Sequence, residues 1–167
     1  SIKQLEIDYK KTKSEYVNCF LHILKFAYYG SEKNYLQGVK CCVKIISILK
    51  EHKAIYNRDL MVVTIANLCL YKTYIGKYYE AIMDAKEGLQ YCIPDSRIYI
   101  LMKMQEFHAS YYLRDYLHAE ECIHVVLNLS INNPGDFRYS KYVYYQCCTL
   151  FALKKYKEAS AILNEPL

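Results

Sequence analysis

Residues 74–89 read Tyr74-Ile75-Gly76-Lys77-Tyr78-Tyr79-Glu80-Ala81-Ile82-Met83-Asp84-Ala85-Lys86-Glu87-Gly88-Leu89. Within this stretch, Tyr78 is followed three residues later by the small residue Ala81. Side chains three residues apart lie on the same side of a helix. The small side chain lets a second helix approach the first closely, and the tyrosine ring fills the gap near the turn. The stretch therefore predicts a tight turn and the close contact of an antiparallel helical pair.

The same Tyr-x-x-Gly/Ala pattern occurs four times along the chain. Its members are Tyr35 and Gly38, Tyr78 and Ala81, Tyr116 and Ala119, and Tyr156 and Ala159. The small residues follow one another at intervals of 43, 38 and 40 positions (38 to 81, 81 to 119, 119 to 159). Since one helical pair cannot bury its apolar face alone, pairs at such a regular spacing are expected to stack. An ordinary helical bundle without a true repeat is the alternative.

Apolar residues follow the helical period along nearly the whole chain. The pattern predicts helices at 3–29, 34–51, 59–75, 78–92, 96–113, 116–130, 136–153 and 156–164. Polar segments rich in Gly, Pro, Asn and Asp separate these helices. Asp59, Asp95 or Ser96, and Asp136 suit the N-caps of the helices that follow them. No strand pattern competes, so the sequence predicts an all-α fold.

The composition agrees with one helical domain. The chain has 167 residues, of which 53% are hydrophobic, with 5 Gly, 3 Pro, 20 Tyr and no Trp. So few turn residues argue against hairpin-rich β folds and against disorder. The net charge of +5 is modest, and the basic residues are interspersed with acidic ones, which argues against nucleic acid as a partner. No run of 18 apolar residues is present, so no membrane partner is predicted.

Eight cysteines lie at positions 19, 41, 42, 69, 92, 122, 147 and 148. Their neighbours are apolar or helical, and adjacent cysteines rarely bridge each other because the geometry is strained. We interpret them as small hydrophobic residues of a core that stay reduced. This interpretation predicts a cytoplasmic location.

The repeat resembles that of the tetratricopeptide repeat (TPR) family. Residues 74–89 reproduce the family's Gly-x-Tyr-x-x-Ala…Ala-x-x-Gly/Ala-Leu run. The resemblance implies a right-handed α-α superhelix in a single domain, 1–167, with four degenerate repeats at about 19–51, 59–92, 96–130 and 136–167. Two features depart from the family: the intervals exceed its usual 34 residues, and Phe26 and Phe107 replace the small residue usual in the first helix.

In the TPR family the first helices of the pairs line a concave groove. Carried onto this sequence, the resemblance implies a partner-binding groove at Ala66, Leu70, Thr73, Met104, His108, Tyr111, Tyr144, Cys148 and Phe151. This apolar and aromatic set suits an amphipathic helix or an apolar peptide. Asn67 and Lys141 alone lie near positions that would clamp a C-terminal carboxylate, so a clamp is not supported. A groove closed by core packing is the alternative.

Candidate chemistry in the sequence is sparse. There is no Gly-rich phosphate loop, nucleophile elbow or HExxH motif, so we predict no enzyme activity, no catalytic residue and no cofactor. His118 and Cys122 lie one turn apart on a predicted helix and could offer two metal ligands. A structural zinc site needs four ligands, and no second Cys/His pair stands at a matching spacing. The sequence therefore predicts no metal site.

These observations favour a non-enzymatic scaffold for signalling that binds a protein or peptide. We expect it to be a regulatory or sensory segment of a larger protein, because both ends of the repeat array look open. Two alternatives stay open. The chain could self-associate as a homo-oligomeric structural assembly module, or it could sense a small ligand or a metal through His108, His118 and Cys122.

Overall fold

A computed structural model describes residues 2–131 and 138–164. Within these ranges the chain forms nine α-helices and one short 3-10 helix, Lys53–Ile55, with no strand. The helices are α1 (Ile2–Thr12), α2 (Glu15–Ser31), α3 (Tyr35–Glu51), α4 (Arg58–Tyr74), α5 (Tyr78–Leu89), α6 (Arg97–Leu113), α7 (Tyr116–Ile131), α8 (Tyr139–Ala152) and α9 (Tyr156–Asn164). The predicted all-α class is confirmed. The start of the helix predicted at 136–153 lies outside the described residues.

Consecutive helices pack against each other along the chain, and α4 also packs along α6. This neighbour-to-neighbour packing is compatible with a helical repeat. Among the described helices, none is both long enough and apolar enough to cross a membrane.

The helix predicted at 3–29 is in fact two helices. Lys13 has a φ of 53°, a left-handed conformation that interrupts a right-handed helix. The chain then resumes at Ser14, which occupies the N-cap position of α2 without a capping side-chain bond. The apolar pattern did not reveal the break, because the residues on both sides of it keep a helical spacing.

The helix caps correct one prediction and confirm another. Asn57 caps α4, because its side-chain oxygen accepts a hydrogen bond from the Leu60 amide at 2.8 Å. The predicted cap, Asp59, lies inside the first turn of the helix. Ser96 caps α6 as predicted and accepts a hydrogen bond from the Tyr99 amide at 3.2 Å. The predicted cap Asp136 lies outside the described residues.

The buried apolar side chains form two main clusters that meet at α6. The first core cluster lies among α2 to α6 and includes Cys19, Ile45, Met61, Ile65, Ala85 and Met102. The second core cluster lies among α6, α7 and α8 and includes Ile100, Phe107, Ile123, Val126 and Tyr142. Helix α6 therefore contributes apolar side chains to both clusters, as expected of a helix enclosed on two sides.

The small residues of the repeat pattern are all buried near the start of α3, α5, α7 and α9: Gly38, Ala81, Ala119 and Ala159. At Gly38, a Cβ atom would lie 2.5 Å from Cε2 of Tyr71 on α4. Glycine is thus needed there because the aromatic ring fills the space that a side chain would take. This close approach joins α3 to the helix that follows it in the chain.

Candidate functional site

A cleft of about 460 Å³ opens beside α4, α6 and α8. We call it the tyrosine cleft. It is lined by Leu70, Thr73 and Tyr74 of α4, by Phe107, His108, Tyr111 and Tyr112 of α6, and by Lys141, Tyr144, Tyr145 and Cys148 of α8. In the pairing that the sequence predicts, these three helices are the first helices of consecutive pairs.

Six of the nine predicted groove residues line this cleft: Leu70, Thr73, His108, Tyr111, Tyr144 and Cys148. Ala66 and Met104 do not, because they are 4% and 5% exposed and lie in the first and second core clusters. Phe151 does not line it either. Its ring packs against Tyr156 of α9, with 5.7 Å between the ring centroids.

Five lining residues were not predicted: Tyr74, Phe107, Tyr112, Lys141 and Tyr145. Counting in steps of three or four residues selected one member of each adjacent tyrosine pair, whereas both members reach the cleft. The adjacent pairs 111–112 and 144–145 were the signal that could have extended the prediction, since neighbouring side chains on a helix can flank one opening.

Aromatic contacts hold the inner wall of the cleft together. The Tyr145 ring lies 5.3 Å from the Phe107 ring and 5.2 Å from the His108 ring, centroid to centroid, and it meets His108 edge-on. The Lys141 ammonium lies 5.5 Å from the Tyr145 centroid, within the range of a cation–π interaction. The rim stays open to solvent, because Tyr74, Tyr112 and Tyr144 are all more than half exposed.

The interior of the cleft disfavours charge. Burial, and to a lesser extent the nearby Lys141 ammonium, lower the pKa of His108 to about 4, so its ring is neutral at pH 7. Burial likewise raises the pKa of the Tyr111 hydroxyl. The hydrogen bond with Cys148 is the main cause of the raised pKa of Tyr144. Among the described lining residues, Lys141 alone carries an ammonium group and none is acidic.

His118 and Cys122 do not line the tyrosine cleft. They lie on α7, and the structure places a third potential ligand, the buried carboxylate of Glu106 on α6, beside them. This third group was not predictable from sequence spacing, because Glu106 is on a different helix and no Cys/His spacing includes it.

The cysteines resemble core residues in their surroundings. All eight are free, and six of them are buried. Burial raises the pKa of Cys42 to about 12 and, together with the charge of Glu106, that of Cys122 to about 12. A thiol at such a pKa is protonated at pH 7 and is a poor nucleophile.

No protein-family model matches the chain, and no curated protein sequence matches it.

Proposed function

We propose that the chain is a non-enzymatic scaffold that binds a peptide segment of a protein partner in the tyrosine cleft. The observation that supports this most is the open cleft itself, formed by aromatic side chains from three successive first helices. Tyrosine is favoured at binding surfaces because it offers a large, rigid contact area with a polar tip. Each of the three rim tyrosines has at least one ring neighbour, Tyr35, Tyr78 or Tyr145, but each stays more than half exposed and presents such area to solvent.

The chemistry of the lining indicates what kind of segment fits. Its walls are apolar and aromatic, so they favour a segment that inserts apolar side chains, as an amphipathic helix or an apolar peptide does. Lys141 also lines the cleft, so we expect its ammonium to meet an acceptor on that segment, such as a carboxylate. The volume of about 460 Å³ lies within the range of small-molecule sites, so a small ligand is the competing occupant.

A TPR-like superhelix is the architecture we infer for this scaffold. Four in-phase Tyr-x-x-Gly/Ala patterns, their buried small residues and the neighbour-to-neighbour packing support it. The raised thiol pKa values and the neutral His108 support a role without covalent or acid–base chemistry. The buried reduced cysteines support a reducing compartment such as the cytoplasm.

The test is a selection of peptides from a random display library on the purified chain, followed by affinity measurements on the enriched sequences. Tyr144→Ala should weaken their binding by more than about 1 kcal/mol, because it removes an exposed ring from the rim. Tyr79→Ala is the matched control. Tyr79 is 69% exposed, against 63% for Tyr144, and lies on α5 outside the cleft, so its loss should leave affinity unchanged.

Two results would contradict the proposal. One is a selection that enriches no peptide, and the other is enriched peptides that bind Tyr144→Ala and Tyr79→Ala equally well. Light scattering of the complex should give the mass of one chain and one peptide. A mass of two or more chains without peptide would instead favour the homo-oligomeric assembly.

A further inference from the structure

A cluster of polar side chains is buried where α6 packs against α7. The Glu106 side chain is 1% exposed, and its Oε1 lies 2.9 Å from Nε2 of His118. Its Oε2 accepts a hydrogen bond from the Lys103 ammonium at 2.8 Å. Sγ of Cys122, one turn after His118, lies 3.8 Å from the same imidazole nitrogen. A carboxylate, an imidazole and a thiol thus converge on one point.

We propose that Glu106, His118 and Cys122 form a binding site for a single Zn²⁺ ion. Nitrogen, sulfur and oxygen from these residue types are the ligands that Zn²⁺ takes in proteins. Three protein ligands leave the fourth tetrahedral position to water, unlike structural sites, in which four protein ligands close the site.

The three ligand atoms lie near the distances that such an ion requires. Zn²⁺ binds nitrogen and oxygen at about 2.0 Å and sulfur at about 2.3 Å, so tetrahedral ligand atoms stand about 3.3–3.8 Å apart. The imidazole nitrogen lies 2.9 Å from the carboxylate oxygen and 3.8 Å from the sulfur, and all three ligand atoms lie within 4.8 Å of one another. To hold the ion, the side chains must rotate so that the nitrogen–oxygen distance lengthens and the sulfur comes within range of both atoms.

The second nitrogen of the imidazole is already oriented. Nδ1 of His118 lies 3.3 Å from a carboxylate oxygen of Glu121, which leaves Nε2 to face the cluster. A carboxylate on the far nitrogen is the usual outer partner of a metal-binding histidine, because it fixes the ring and raises its basicity. The His118 side chain is 24% exposed and borders a surface depression of about 490 Å³, which gives an ion access to the ring.

The charges balance when the ion binds. The thiol of Cys122 loses its proton to solvent, and the neutral imidazole binds through Nε2. Glu106, Glu121 and the new thiolate then carry three negative charges, and Zn²⁺ with the Lys103 ammonium carries three positive ones. The Lys103 ammonium beside Glu106 opposes the ion, and this gives the site a distinctive test.

The test uses Co²⁺ as a spectroscopic probe and Zn²⁺ as its competitor, on the whole chain. The wild type should bind one Co²⁺ with a thiolate-to-metal charge-transfer band that Zn²⁺ abolishes. Cys122→Ser should lose the band, and Glu106→Gln should weaken Zn²⁺ binding more than tenfold. Glu121→Gln should weaken it about tenfold, the lower end of outer-partner effects. Lys103→Met should tighten it, whereas a purely structural ion pair would give no gain in metal affinity.

Matched controls separate this site from general effects on folding. Cys147→Ser removes another buried cysteine, and His124→Gln removes an exposed histidine of the same helix. Both should keep the band. Failure of the wild type to bind one equivalent, or a band that survives Cys122→Ser, would overturn the proposal. If Cys122→Ser fails to fold, ring ¹⁵N spectra of the wild type provide the test. Zn²⁺ should then shift the Nε2 resonance of His118. A shift of another histidine instead, or no shift at all, would overturn the proposal.

Discussion

His108 is an uncharged polar residue in an aromatic setting. Its ring lies 5.4 Å from Phe107 and 5.2 Å from Tyr145, centroid to centroid. Burial is the main cause of its low pKa, and the ammonium of Lys141 adds to it. The folded chain therefore holds the imidazole neutral at pH values where an exposed histidine gains a proton.

This depressed pKa predicts a loss of stability on acidification. The ring titrates near its ordinary value of 6.5 in the unfolded chain and near 4 in the folded one, so the unfolded state binds more protons between these values. The free energy of unfolding then falls as the pH drops below about 6.5, by about 2 kcal/mol at about pH 5 from this residue alone. Denaturant unfolding of the wild type and His108→Phe across this range measures the difference.

The control for this prediction is His124→Gln, which removes an exposed histidine. It should keep the pH dependence of the wild type, whereas His108→Phe should show a flatter one. Equal slopes for wild type and His108→Phe between about pH 6.5 and 5 would mean that the imidazole is not held neutral in the folded chain.

At the scale of single residues, the sequence predicted the side of each helix that faces the cleft but not the full set of lining residues. A three- or four-residue step placed Leu70, His108 and Tyr144 correctly on the cleft side of their helices. It also placed Ala66 there, which is in the core. Periodicity predicts which side of a helix a residue lies on. It does not predict whether a neighbouring helix buries that residue, and burial is what distinguishes a core residue from a cleft residue.

The close approach of α3 and α4 at Gly38 determines how these two helices pack. The Tyr71 ring that fills the space is itself held by Phe26 and Tyr35, whose ring centroids lie 5.6 and 5.5 Å away. Gly88 on α5 makes a comparable approach, with the terminal methyl of Met102 at 2.6 Å and Cγ2 of Ile65 at 2.9 Å from the Cβ position. A methionine end can move aside, whereas a ring packed between two others has little freedom to do so.

We therefore expect Gly38→Ala and Gly88→Ala to have different effects. Gly38→Ala should destabilise the fold by about 1–3 kcal/mol, the usual cost of overpacking. Gly88→Ala should cost less than Gly38→Ala, because the Met102 end can move aside and only Cγ2 of Ile65 must give way by a few tenths of an ångström, while the gain in helix propensity of about 1 kcal/mol offsets part of the cost. Denaturant midpoints of both variants measure this, and an equal loss in the two would contradict the role assigned to Tyr71.

Helix positions were predictable from the sequence, but several helix ends were not. Seven of the eight predicted helices correspond to single helices that contain most of the predicted residues, because a buried face leaves a strong 3.6-residue period. The break at Lys13 and the cap at Asn57 depend on one backbone angle and one hydrogen bond. Such local features do not change the hydrophobic periodicity, so the sequence did not show that Asn57 rather than Asp59 caps the helix.

On the scale of the whole molecule, α6 joins two parts of the core. Met102 and Ala109 belong to the first core cluster, and Ile100, Met104 and Phe107 belong to the second. The sequence shows apolar residues around most of α6 but does not show which of them meet which neighbour. In a chain whose helices pack mainly on their neighbours in sequence, stability is a sum of local terms, and parts of the array can open separately.

This arrangement predicts that two similar substitutions affect different regions. Ile45 and Ile123 are both at most 1% exposed, one in each core cluster, and replacement of either by valine should cost about 0.5–1.5 kcal/mol. In native-state hydrogen exchange, Ile123→Val should speed the exchange of amides in α7 and α8, while those in α3 and α4 keep wild-type protection. Ile45→Val should have the reverse effect. A uniform loss of protection across all helices in both variants would show that the two clusters unfold as one unit, with α6 coupling them fully.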